Sequence, residues 1–187
     1  SLSGAGGDDR LRGGEDDDTL NGGTGNDLLQ GDGDNDALNG DAAADRLEGG
    51  NGDDTLNGGD GNDLLLGGND EDQLFGGNND DELFGGDGDD ELHGGAGNDY
   101  LHGEDDGNLD KLFGDAGDDW LDVHSSDLAG GGQIVGGDGN DVLDISGFDL
   151  TGSAGITNIE IINMEGSGNN DDVSLSAADV IAMTDGD

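Results

Sequence analysis

Residues 76–102 read GGNNDDELF GGDGDDELH GGAGNDYLH: three nine-residue lines, each opening on Gly-Gly, with an acid at place six and leucine at place eight. The same line recurs along most of the chain. From Gly4 the frame runs unbroken, opened in turn by Gly13, Gly22, Gly31, Gly40, Gly49, Gly58, Gly67, Gly76, Gly85 and Gly94. The twelfth line, residues 103–113 (GEDDGNLDKLF), is two residues too long, and the frame resumes over 114–122. Residues 123–135 break it, and a last line, GGDGNDVLD, fills 136–144. All fourteen lines have Gly at place one, Asp at place six and Leu at place eight, which chance does not produce.

Each line divides physically in two. Gly at places one, two and four permits positive φ, so the first six residues are expected to coil tightly. Asn or Asp at place five tolerates the left-handed region as well. The last three residues, x-Leu-x, alternate as a very short strand with one inward side chain. One such strand cannot bury its leucine, but stacked copies can, which is the logic of a solenoid. With two lines to a coil, odd lines build one parallel sheet and even lines the other, and two leucine ladders meet between them. About six turns at ~4.8 Å per strand make a rod roughly 30 Å long. The weakest copy is GDAAADRLE, residues 40–48, with alanine at places three to five.

Composition by itself points elsewhere. The 187 residues, enough for one domain or two small ones, carry 48 acids against four bases, a formal net charge of −44, with only 29% hydrophobic residues. A chain so charged and so poor in aromatics reads as disordered unless counter-charge is supplied. Nucleic acid and anionic lipid are excluded as partners, since both require the Lys and Arg that are nearly absent. The surface attracts cations instead. No apolar run approaches the ~20 residues that span a bilayer, and no cleavable signal pattern is present. There is no Cys for disulfides and no Pro for turns. The opening SLSG, without Met, suggests a fragment of something longer.

From Ile145 the composition changes. ISGFDL, ITNIEIINM and DDVSLS carry β-branched residues in strand-like runs, and Ser176 to Asp179 reads as a capping box before a short helix through Met183. This segment is expected to cover the open end of the stack, whose sheet edges otherwise invite pairing. The expected division is therefore 1–122 for the repeats, 123–144 for an interrupting loop and final repeat, and 145–187 for a C-terminal cap.

Calcium is the natural counter-charge. It accepts six to eight oxygens, carboxylate and carbonyl alike, in flexible geometry, and a glycine turn beside an Asp offers both. Zinc would want His or Cys, and neither is spaced for it. The line GGxGxDxLx resembles the nonapeptide of RTX (repeats-in-toxin) proteins, a calcium-binding repeat, over residues 4–122 and 136–144. The resemblance implies an all-β fold, a right-handed parallel β-roll, with calcium held between successive turns on each edge. It implies ligands at place six: Asp9, Asp18, Asp27, Asp36, Asp45, Asp54, Asp63, Asp72, Asp81, Asp90, Asp99, Asp110, Asp119 and Asp141, completed by backbone carbonyls of the adjacent glycine turn. It also implies type I secretion from a Gram-negative bacterium, to the medium or the cell surface, unfolded inside and folded outside. In residues 103–113 the two extra residues must bulge or cost a site. Asp141 gains a stacked partner only if residues 123–135 loop out and rejoin the frame.

Other chemistry finds little support. An EF-hand, with Gly at loop place six and Glu at twelve, does not fit a nine-residue frame. The GxG strings precede no helix that would make a dinucleotide site. Paired acids at glycosidase spacing occur by chance among 48, and DVHSSD, residues 122–127, lacks a nucleophile elbow. His93 and His102, at place nine of successive lines, fall on opposite sheets and read as surface residues. The outward Leu66, Phe75, Phe84 and Phe113 mark either a contact with another domain or protomer, or residues partly covered by neighbouring long side chains or by the 123–135 loop. Two functional classes remain. One is a non-enzymatic, calcium-folded structural module of a secreted adhesin or exoprotein, contacting neighbouring domains of its parent. The other is a carbohydrate-binding accessory module of a polysaccharide-modifying enzyme, for which Tyr100 and Trp120 at place seven are the hint.

Overall fold

The computed structural model of the protein describes residues 1–104, 107–124, 127, 132–146, 156–157 and 161–163. Among them the chain forms β1 (Leu2–Gly6), β2 (Arg10–Gly14), β3 (Thr19–Thr24), β4 (Leu28–Gly33), β5 (Ala37–Ala42), β6 (Arg46–Asn51), β7 (Thr55–Asp60), β8 (Leu64–Asn69) and β9 (Gln73–Asn78). It continues with β10 (Glu82–Asp87), β11 (Glu91–Ala96), β12 (Tyr100–His102), β13 (Lys111–Ala116), β14 (Trp120–His124), β15 (Gln133–Asp138), β16 (Val142–Ser146), β17 (Ile156–Thr157) and β18 (Ile161–Asn163). Odd strands make one nine-stranded sheet in chain order and even strands make the other. Every neighbouring pair is parallel, and leucine lies against leucine: Leu47 opposite Leu65, Leu65 opposite Leu83, Leu83 opposite Leu101. The fold is a parallel β-roll of about eight turns. The two-line coil follows from the sequence period, but the rod is longer than six turns, roughly 40 Å at ~4.8 Å per strand.

The division within a line differs from the sequence expectation. A typical strand covers six residues, places seven to nine of one line and one to three of the next, as in β9, QLFGGN. Both its leucine and its place-one glycine turn inward, so the alternation x-Leu-x-Gly continues through the glycines. Only places four to six are left for the turn. Positive φ is also confined more tightly than expected. Outside the over-long twelfth line, where Gly107 (91°) also holds it, it occurs at place two (Gly77, φ 117°) and place four (Gly88, φ 157°), while place one stays outside that region. Among the described residues ten non-glycine residues hold positive φ, each at place two or four; Asp41 (72°) and Ala43 (84°) put both in the weak line.

The interior is one column of side chains from each sheet. Leu29, Leu47, Leu65, Leu83, Leu101 and Leu121 of one sheet face Leu20, Leu38, Leu56, Leu74, Leu92 and Leu112 of the other, each at most 2% exposed. At the N-terminal end Leu2 remains 37% exposed. Where the period fails, the ladders persist. Insertion in the twelfth line shifts the register from 18 to 20 residues, Glu91 opposite Lys111. The interruption after β14 shifts it to 22, Lys111 opposite Gln133. Residues 133–135, which the sequence placed inside the break, are places seven to nine of a further coil, and Ile134 takes the leucine position. Val123 extends β14 into the core opposite Ile145. β17 and β18 then add one strand to each sheet. The expected helix over 176–183 lies outside the described residues.

The outward aromatic residues cover one another in part. Phe75, His93 and Phe113 stack along one sheet with ring centroids 5.2 and 4.5 Å apart. Phe84 packs near Tyr100 and His102 on the other. His93 and His102 lie on opposite sheets, as the two-line coil requires. Trp120 is 41% exposed.

Candidate metal centre

The turns that join the sheets carry place six, so the fourteen place-six aspartates fall into two columns on opposite edges. One holds Asp9, Asp27, Asp45, Asp63, Asp81, Asp99, Asp119 and Asp141; the other holds Asp18, Asp36, Asp54, Asp72, Asp90 and Asp110. Within each column the Asp backbone N–H donates to Oδ1 of the Asp one coil later: Asp27 to Asp45 at 2.7 Å and Asp63 to Asp81 at 2.8 Å. The ladder survives both irregularities. Asp90 N–H reaches Asp110 Oδ1, and Asp119 N–H reaches Asp141 Oδ1, each at 3.0 Å. So the column continues past the insertion, and Asp141 rejoins it.

A second ladder runs the opposite way at place five, which the sequence reading treated only as a left-handed position. None of these place-five residues has positive φ. Instead their side-chain Oδ1 accepts from the coil that follows: Asn26 N–H donates to Asp8, Asp53 N–H to Asn35, and Asn98 N–H to Asp80. The recurrence of Asp or Asn at place five was the available signal. Ala44 interrupts it.

The other carboxylate oxygen decides the chemistry. Oδ2 is buried without a hydrogen-bond partner in Asp9, Asp27, Asp36, Asp45, Asp54, Asp63, Asp72, Asp81, Asp99 and Asp119. It lies over the place-one glycine of its own line. A Cβ at Gly22, Gly40, Gly58 or Gly76 would overlap both that oxygen and the carbonyl oxygen of the place-one glycine in the next coil. Place one is therefore glycine for space, and the space is walled by carboxylate and carbonyl oxygen. A buried carboxylate oxygen with no donor is costly. Burial accordingly pushes the carboxyl of Asp45, Asp54 and Asp99 up to about 6, with backbone N–H donation opposing the shift. The same cause takes Asp81 and Asp119 to about 7 and Asp72 to about 8. Like charge along the column adds to it. At an effective dielectric of about 20, two unit charges one coil apart repel by ~3 kcal/mol.

The donor set selects the cation. Among the described residues no three His, Cys, Asp or Glu side chains gather at one point, so an ion on the edge draws part of its shell from backbone carbonyls. That suits a hard cation taking mixed oxygen ligands and not zinc. The RTX calcium-binding nonapeptide repeat profile, built of four copies, matches residues 3–38, 12–47, 39–74, 75–109, 109–125 and 128–144. The chain belongs to this family. RTX repeats bind calcium and are typical of secreted proteins. Two features here fit that ion: oxygen-only walls, and buried carboxylate oxygens lacking donors. A search of curated proteins finds no match to the chain. Among the described residues no helix is long and apolar enough to cross a membrane.

Proposed function

We propose that this β-roll is a calcium-folded structural module of a larger secreted protein, an adhesin or exoprotein, without catalysis of its own. The observation that carries the reading is the column of buried Oδ2 oxygens with no donor. Asp81 and Asp99 on one edge, and Asp54 and Asp72 on the other, would hold ions together with the glycine-turn carbonyls between their coils. Bound calcium supplies the positive charge that lets these carboxylates stay ionised inside the roll. Binding free energy is then folding free energy. In low cytosolic calcium, repulsion among acids keeps the chain extended and exportable. At extracellular concentrations, sites with Kd on the order of 10⁻⁴–10⁻³ M fill. Circular dichroism tests this directly: strand signal is expected at millimolar calcium and its loss in EDTA. Strand signal that persists in EDTA above about pH 8, where the raised carboxyls are ionised, overturns the reading.

A second reading, carbohydrate binding, draws on Tyr100 and Trp120. These are neighbours across β12 and β14 on an outer face, and Trp120 is the more exposed. Tyr100 donates its hydroxyl to Asp122 at 3.0 Å, which fixes the ring. Titration of neutral and anionic polysaccharides into the calcium-loaded protein, read by Trp120 fluorescence, decides it. No change removes the reading.

A further inference from the structure

We propose that a trough on the outer face of the even-stranded sheet receives a lysine or arginine side chain from a basic peptide partner. The trough encloses about 440 Å³ between β8 and β10. Its floor is bare backbone, because Gly68 lies opposite Gly86 and neither has a side chain. Leu66 and Phe84 at place nine form one wall, and Asn69 and Asp87 at place three form the other. Glu104, at φ 81° just after β12 stops at His102, also lines the trough, which stays open to solvent.

The lining suits a long cationic side chain. A methylene stem lies against Leu66 and Phe84 while its charged head stays between the acids, as lysine and arginine do at apolar surfaces. Phe84 is braced by Tyr100 (5.7 Å between centroids) and His102 (6.0 Å), so its ring is held for contact with a cation. Glu104 lies 3.5 Å from His102 Nδ1 and Asp87 is exposed. Among the described residues neither is paired with Lys or Arg. Charge argues for the same occupant, since a net −44 attracts cationic partners and a neutral sugar gains nothing from it. A second copy of the chain offers few cations: of its four bases, Arg12 pairs with Asp32, Arg46 with Glu48 and Lys111 with Glu91, which leaves the exposed Arg10 as the single base outside such a pair among the described residues.

The test is an NMR titration of the calcium-saturated full chain, at ~0.15 M salt to screen diffuse attraction, with acetyl-Gly-Arg-Gly-amide. The citrulline peptide is the neutral control. Expected are shifts centred on Leu66 and Phe84, absent with citrulline, and weakened about fivefold by Glu104→Gln, as for a half-exposed ion pair. Glu15→Gln removes the same charge from a distant coil and should leave binding unchanged. If Glu104→Gln does not reach the wild-type calcium-loaded dichroism spectrum, Asp87→Asn is read in its place. Equal losses in the trough and Glu15 variants overturn the proposal, as do equal binding of citrulline, shifts spread over every acidic turn, or an oligosaccharide moving these resonances where arginine does not.

Discussion

At the scale of single residues, place six carries two tasks on its two oxygens: Oδ1 ties adjacent coils together and Oδ2 faces the carbonyls above a bare glycine. Asp81→Asn keeps an acceptor for the Asp63 N–H but removes one charge. The calcium midpoint should rise several-fold while the saturated dichroism spectrum is retained, checked by calcium titration. Gly76→Ala presses a methyl into both oxygens and should destabilise the calcium-loaded roll by about 3 kcal/mol, checked by denaturant melts. The acids also set a pH dependence. In the roll, burial pushes the carboxyls of Asp45, Asp54, Asp72, Asp81, Asp99 and Asp119 up to about 6 to 8, above the value of 3.8 for a free aspartate, so the calcium-free roll binds more protons than the unfolded chain between those limits. By linkage its stability is greatest below about pH 4 and falls as pH rises through 6 to 8. Dichroism in EDTA across pH 4–8 should show strand content declining with pH. With calcium present protons compete for the same oxygens, and the calcium midpoint should rise as pH falls below about 6. Place six and place eight were legible in the sequence because an invariant residue at a fixed period has few physical meanings. The place-one requirement was misread as conformational because sequence alone does not say which atom stands over a glycine.

At the scale of the strand and turn, one line is a six-residue strand and a three-residue turn, and the turn's quality depends on places two and four. The weak line, residues 40–48, keeps its ladder bond, Asp27 N–H to Asp45 Oδ1 at 2.7 Å, but holds Ala43 at φ 84° and offers no side-chain acceptor at Ala44. Ala43→Gly should relieve roughly 1 kcal/mol of left-handed strain. Ala44→Asn should add a place-five rung worth a similar amount, by accepting from the Asn62 N–H. Thermal melts of the two variants and their combination check both, with increments that add if the strain and the rung are independent. In the core, Leu83→Ala should cost about 2–5 kcal/mol, because the single column of leucines has no second layer to close the gap. Periodicity gave the strands' existence and partners but not their ends. Gly-Gly normally signals a turn, whereas here the first glycine continues the inward alternation. Residues 133–135 were hidden because Ile134 replaces leucine after a break in the nine-residue period. Place five was noticed and given the wrong task, since Asp and Asn suit a left-handed backbone and a side-chain acceptor equally well.

At the scale of the whole molecule, the roll is a thin hydrophobic seam enclosed by acidic edges, and the proposed calcium-coupled folding would make its compactness depend on the ion. Small-angle scattering should give a radius of gyration near that of a compact chain of this length, roughly 16 Å, in calcium, widened by any extended tail. In EDTA it should exceed roughly 46 Å, the unfolded value before charge expansion is added. An unchanged radius would separate calcium binding from folding. The opposed ladders have a consequence for how such rods meet. At place six each coil shows carboxylate oxygen toward its N-terminal neighbour and amide hydrogen toward its C-terminal one, while place five does the reverse. Any section through the rod therefore exposes two unlike faces, each the complement of the other and not of itself. Only joining unlike faces continues both ladders in register, place six to place six and place five to place five, so the stack has a direction. End-to-end association through these faces would be heterologous, extending an open filament in one direction instead of closing a twofold dimer.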